Sequence, residues 1–174
     1  RRRQHVPWIA AGSASESEHS ADDVVRGTGW VFNNRTGDQL NLAKFVNTGD
    51  HETIAYLQAF DLLHDDAPSQ TMVEIGSGIG RMTASFTRMF AKVVACDLDG
   101  AFLERCRETV AQFGRPERLQ TSHVVDGRTL GLPDDSADMV FSYITLQHCH
   151  RDDALALARE AVRVARPGGH IALN

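Results

Sequence analysis

The residues with the clearest capacity for chemistry begin at VEIGSGIGRMT, positions 73–83. Gly76, Gly78 and Gly80 alternate there, with Ser77 between the first two. Glycines at this spacing let the chain turn tightly after an apolar run, so a ligand can lie against the main chain at the start of a helix. Asp97 ends the next apolar run, KVVACD, about twenty residues after Gly76. Doubly wound folds place a carboxylate there to accept hydrogen bonds from the ribose hydroxyls of an adenosine cofactor. The same carboxylate would repel a 2′-phosphate. Asp99, two residues on, reads instead as the cap of the following helix. A third carboxylate, Asp126, follows a third apolar run. A dinucleotide fingerprint asks for G-x-G-x-x-G; here the spacing is GxGxG and Arg81 follows Gly80. Nor does that fingerprint ask for Glu74 ahead of the first glycine, or for Asp126.

Groups that could move a proton gather further along, in SYITLQHCHRDD. Tyr143, His148 and His150 are candidates for a general base, should an acceptor have to lose a proton. Ser142 precedes them at the end of a strand. His51 and Glu52 lie in an earlier helical stretch and would reach the same region only if that helix closes over it. Cys96, Cys106 and Cys149 form no C-x-x-C pair and have no neighbouring ligand spacing, so no metal site is expected. Cys96 and Cys106 read as small core residues, and unpaired thiols point to a reducing, cytoplasmic setting.

These residues need a scaffold that brings strand ends together. The 174 residues suffice for one core. From Thr71 the sequence alternates strands and helices: TMVEI, a helix marked by Met82, Phe86, Met89 and Phe90, KVVACD, a helix striped by Phe102, Cys106, Val110 and Phe113, then SHVVD, DMVFSY, a helix over 152–165 and GHIALN. The last helix is expected to turn Leu155, Ala158, Val162 and Ala165 inward. Its predecessor in the glycine segment should start near Ile79. Short links between strand and helix imply right-handed crossovers and a parallel sheet, and continuous apolar strands imply cover on both faces. The fold class expected is α/β, a Rossmann-like doubly wound, mostly parallel sheet in a three-layer sandwich. Residues 1–26 read as a flexible arm, with Trp8 and Ile9 as a sticky point. Residues 27–70 form a helical lead-in, its helix running from Asp50 to about His64 along Ile54, Leu57, Leu62 and Leu63, capped by Thr48 or Asp50. Residues 71–174 form the ligand-binding domain. The net charge of −5 and the scarcity of lysine, Lys44 and Lys92 alone, give no basic face for nucleic acid. No stretch is long and apolar enough to cross a membrane.

Taken in order, EIGSGIGRMT, VVACDLD, VVDGRTLGLPDDSADMVFSYITLQH and RVARPGGHIAL resemble the class I S-adenosylmethionine-dependent methyltransferase superfamily over residues 71–174. The preceding FVNTGDHETIAYL resembles a lead-in of its small-molecule members. The resemblance implies S-adenosyl-L-methionine as cofactor. It implies that Glu74 and the loop Gly76–Gly80 hold the methionine end, that Asp97 holds the ribose, that Leu98 lies against the adenine, and that Asp126, with Gly127 and the Arg128 main chain nearby, meets the adenine amino group. Ser142 and Tyr143 would line the route to the acceptor. No Asn/Asp-Pro-Pro-Tyr/Phe follows the fourth strand and no Pro-Cys pair is present, which leaves a small or lipid-like acceptor. The resemblance also implies further strands beyond the fifth, so the chain is expected either to be truncated or to have that strand's edge covered by another chain. Two other readings remain: a non-catalytic module that binds S-adenosylmethionine, and a nicotinamide-dependent oxidoreductase.

Overall fold

The computed structural model describes residues 42–63 and 65–174. Five strands, β1 (Thr71–Ile75), β2 (Lys92–Asp97), β3 (Leu119–His123), β4 (Ala137–Ser142) and β5 (Ala165–Leu173), form one sheet in the order β3-β2-β1-β4-β5. Every neighbouring pair runs parallel. Between them come α1 (Leu42–Ala59), α2 (Thr83–Met89), α3 (Gly100–Phe113) and α4 (Arg151–Val164). The strand order reverses between β1 and β4, which is where ligands settle in open α/β sheets.

Alternation along β1 separates the two faces. Met72 and Glu74 face α1, α2 and α3, where Phe86, Phe90, Val93, Met139 and Leu57 form one buried cluster and Val46, Ala84, Cys106 and Val110 another. Val73 and Ile75 face α4 and pack with Val94, Cys96, Val140, Leu157, Ala161 and Val164. The result is the three-layer, doubly wound α/β sandwich that the strand–helix alternation predicts. Asp99 caps α3, its carboxylate accepting from the backbone N–H groups of Ala101 and Phe102.

Several boundaries differ from expectation. Helix α1 begins at Leu42, so Thr48 and Asp50 lie inside it rather than capping it. It ends at Ala59, where Asp61 takes a positive φ of 54°. Leu57 and Leu62 are buried, whereas Ile54 and Leu63 are exposed. Helix α2 begins at Thr83, not near Ile79, because three glycines at positive φ keep the chain out of helical conformation up to Gly80. Strand β3 starts and ends earlier than SHVVD, which leaves Asp126 in the turn beyond it. Strand β5 starts at Ala165, and a register shift between Ala137 and Met139 accommodates the extra residues of its RPGG stretch. Helix α4 presents the other of its two apolar stripes: Leu157, Ala161 and Val164 are buried, while Leu155 and Val162 are 45% and 66% exposed. The expected arm, 1–26, and the part of the lead-in up to residue 41 lie outside the described residues.

Candidate functional site

The carboxyl ends of β1, β2 and β4 converge on the glycine turn. Gly76, Gly78 and Gly80 have φ of 78°, 54° and 89°, a region that side chains disfavour. Each glycine answers to a different surrounding. A Cβ on Gly76 would strike the Thr145 side chain at 2.1 Å, and one on Gly80 would press against the Cys106 sulfur and backbone at 3.0–3.1 Å. A Cβ on Gly78 would meet nothing within 4 Å. Gly76 and Gly80 therefore permit packing of the protein on itself, and Gly78 alone faces open space.

The turn spends the N–H groups of Gly76, Ser77, Gly78 and Gly80 internally. Gly76 and Ser77 both donate to the Cys96 carbonyl, at 2.8 and 3.1 Å, and Gly80 donates to Ser77. Gly78 donates to Asp97 Oδ2 at 2.7 Å. Asp97 Oδ1 accepts from the Asp99 N–H at 3.0 Å. Each Asp97 oxygen keeps a second lone pair. Burial raises the Asp97 pKa to about 6, with the Asp99 and Gly78 N–H groups pulling the other way. These four donors fix the loop, and beside Gly78 what faces outward is a bare stretch of main chain next to the Asp97 carboxylate.

Glu74 is buried beneath the turn, 4% exposed, and accepts from the Thr83 hydroxyl at 2.5 Å. Burial pushes its pKa up to about 8, against the opposing pull of Thr83 and the Arg81 charge. The Ser77 hydroxyl is buried without a well-formed hydrogen bond. Ser142 is buried and donates to the Ile75 carbonyl at 3.0 Å, tying the tip of β4 to the root of the turn. Leu98 is half-buried, and its carbonyl lies 2.9 Å from His123 Nε2.

Asp126 is exposed and spends its carboxylate on its own turn, accepting from the Arg128 and Thr129 N–H groups and the Thr129 hydroxyl. Those bonds hold its pKa below the ordinary value. Gly127, at φ 68°, completes the turn. His148 is half-buried in a short helical turn beside Gln147, and burial lowers its pKa, which keeps the ring neutral. His150 and His51 are exposed. Cys96 and Cys106 are buried with pKa values pushed up to about 12, so both thiols are inert core groups.

Sequence reasoning missed two features. Arg81 donates to Glu52 at 2.6 Å and to the Thr48 hydroxyl at 3.3 Å, and lies over the Phe45 ring. It thereby fastens α1 to the glycine turn, and Gly49 lets the helix approach the Arg81 backbone. Glu52 thus reaches the site through Arg81. The second is Tyr56, whose hydroxyl lies 2.7 Å from that of Tyr143. A Tyr on a helical stripe seven residues from another apolar position carries no signal of that pairing. Among the described residues no group of three or more His, Cys, Asp or Glu is placed to hold a metal ion, and no helix is long and apolar enough to cross a membrane.

Comparison with known proteins gives a consistent result. The family profile described as "Methyltransferase domain" matches residues 73–173. A carboxy-S-adenosyl-L-methionine synthase of Pseudomonas putida is 30% identical over 112 residues, 62% of this chain and 45% of that protein. The chain therefore spans about half the length of the curated relatives that it matches in this way. A structure of Haemonchus contortus phosphoethanolamine N-methyltransferase 1, in complex with phosphoethanolamine and S-adenosylhomocysteine, superposes with a TM-score of 0.62 at 21% identity, covering 94% of this chain and 33% of that one. A Bacillus subtilis protein, YcgJ, superposes at 0.55 with 19% identity, over 71% of this chain and 50% of that one.

Proposed function

The chain belongs to the methyltransferase domain family, matched over residues 73–173, and from that premise we propose that it is an S-adenosyl-L-methionine-dependent methyltransferase acting on a small or lipid-like molecule. The observation that carries this reading is the glycine turn, in which Gly76, Ser77, Gly78 and Gly80 spend their N–H groups internally while Gly78 opens onto space beside Asp97. A pyrophosphate needs free N–H groups at a helix start. An adenosyl sulfonium carries no phosphate and needs a bare surface, a sugar acceptor and nearby negative charge. The residues present fit the second ligand.

In this reading Asp97 accepts from the ribose hydroxyls through its remaining lone pairs, and Leu98 lies against the adenine. Gly78 and the Ser77 main chain pass beneath the methionine portion. Glu74 supports the turn from below through Thr83 and would lose its proton, and so carry charge, only when the amino group of the cofactor lies against it. Asp126 reaches the adenine only with the lone pairs its own turn leaves over. Ser142 and Tyr143 line the way to the acceptor. When bound, the cofactor supplies an electrophilic methyl on a positively charged sulfur. The protein's part is to orient the two molecules and exclude water. Helix α1, fastened by Arg81, is placed to do the second. Neutral His148 is suited to take a proton from the acceptor, where one must leave.

Further proposals concern surroundings. The three thiols are unpaired, in keeping with a cytoplasmic setting. No nucleic-acid partner is expected. The outer edge of β5, with Ile171 and Leu173 over a third exposed, would be covered by further polypeptide or by a second molecule.

Calorimetry with S-adenosylhomocysteine and with NADH tests the reading. S-adenosylhomocysteine is expected to bind and NADH not, and Asp97→Ala should weaken the former by about 1–3 kcal/mol through loss of charge-assisted hydrogen bonds. Binding of NADH alone, or affinity indifferent to Asp97→Ala, would reject it. The similarity to a carboxy-S-adenosyl-L-methionine synthase favours one second reading, in which the chain binds the cofactor without passing on its methyl. Transfer of labelled methyl to a metabolite pool separates the two.

A further inference from the structure

A cavity opens between the end of α1 and the carboxyl ends of β4 and β5. Its volume is about 410 Å³, within the range of small-molecule sites. Tyr56, Phe60, Leu62, Phe141, Tyr143 and Ala172 form much of its wall. None of the described residues that line it carries a charged side chain. The Tyr56 and Tyr143 rings lie 4.7 Å apart at 44°, with their hydroxyls 2.7 Å from each other. Arg81 is paired with Glu52 at 2.6 Å.

The cavity shares a wall with the proposed cofactor site, because Ser142 lines it and bonds to Ile75 at the root of the glycine turn. The backbone between the two is strained. Ile144, a β-branched residue, holds a φ of 55°. That reversal sends Tyr143 toward the cavity and Thr145 onto Gly76. Strain of this kind collects where a structure must aim side chains for a purpose.

We propose that this cavity is the acceptor pocket, and that it takes an uncharged, largely apolar molecule whose single polar group meets the Tyr56–Tyr143 hydroxyl pair. The proposal rests on the methyltransferase reading for the word acceptor, but not for the chemistry of the ligand. A charged headgroup such as phosphate or a carboxylate would lose its hydration here without gaining a partner. An aromatic or aliphatic body would be met by rings and branched chains, and a hydroxyl or amine by the tyrosine pair. Tyr56 and Tyr143 are then specificity-determining residues.

The test titrates the chain with two neutral probes, 1-naphthol and naphthalene, and with phosphocholine as a charged one, each in the presence and absence of S-adenosylhomocysteine. Both neutral probes are expected to bind, phosphocholine not to displace them, and S-adenosylhomocysteine to bind alongside. Ala172→Trp, which puts an indole ring at a residue lining the cavity, should weaken both neutral probes by about tenfold or more while leaving S-adenosylhomocysteine affinity in place. Tyr143→Phe should weaken 1-naphthol by about 3–10-fold and leave naphthalene unchanged, as expected for one lost hydrogen bond. Should Ala172→Trp fail to fold, Phe60→Asp at a position 61% exposed puts a charge at the mouth and is expected to weaken both neutral probes. Probe binding indifferent to these changes, competition between probe and S-adenosylhomocysteine, or tighter binding of phosphocholine overturns the proposal. Failure of S-adenosylhomocysteine to bind, with the probes still sensitive to the variants, sinks the methyltransferase reading and leaves the apolar pocket standing.

Discussion

Burial pushes Glu74 and Asp97 in the same direction but leaves them in different states at neutral pH. With pKa values of about 8 and about 6, Glu74 keeps its proton and Asp97 has lost it. For Glu74 the folded value lies above the unfolded one, so the folded chain holds the extra proton between roughly pH 4.5 and 8. Its contribution to stability is complete at low pH and is lost as pH rises through that window. Glu74→Gln, which keeps the shape and cannot ionise, should match the wild type near pH 5 and become the more stable of the two by pH 9. Chemical denaturation across that range checks this, and parallel curves would show that the carboxyl is ionised throughout. Asp97 acts on binding instead. Its carboxylate must be ionised to accept fully from a diol, so S-adenosylhomocysteine affinity should fall by about tenfold from pH 7 to pH 5. Asp97→Asn should flatten that profile.

Within the glycine turn, the three like residues answer to different demands, and substitutions separate them. Gly80→Ala would force both a disfavoured φ and a contact against α3, and should destabilise the fold by about 2–4 kcal/mol. Gly78→Ala meets no neighbour and should cost about 1 kcal/mol of stability, from backbone strain alone. Yet its methyl would project where the cofactor is proposed to lie, so S-adenosylhomocysteine binding should drop by about tenfold or more. Melting curves and calorimetry on the two variants check the contrast; equal loss of binding without loss of stability in Gly80→Ala would refute it. This division was not legible beforehand, because spacing shows that a turn is needed but not what lies opposite each residue. The strands were legible, since apolar runs of five or six residues have few other uses. The inner face of α4 was not: its two apolar stripes, one through Leu155 and Val162 and one through Leu157, Ala161 and Val164, differ little in composition, and contact with the sheet chose the second. Nor was the role of Arg81, read only as a departure from a glycine pattern, because its partners Thr48 and Glu52 come from an element about thirty residues earlier.

Across the whole molecule, the candidate site draws on β1, β2 and β4 together with α1, so ligand binding and global stability should be coupled. Saturation with S-adenosylhomocysteine at about a hundred times its dissociation constant should stabilise the fold by about 2.7 kcal/mol. Hydrogen exchange should slow in β2 and β4 alike; slowing confined to one of them would place the ligand elsewhere. The sheet order, the switch point and the carboxylates near it could all be anticipated from alternation and spacing. The cavity beside Tyr143 could not, since its walls come from three segments far apart in sequence.

Strand β1 is flanked by β2, its near neighbour in the chain, and by β4, which arrives only much later, with Val73 beside Val94 on one side and Val140 on the other. The seam between early and late segments is the spot where the cofactor is proposed to sit. During synthesis the first half can close around α2 and α3, but the last wall of the hollow is missing until β4 docks across a long loop. A nascent chain would therefore be blind to its ligand until the late strand has paired, and occupancy would certify a finished assembly.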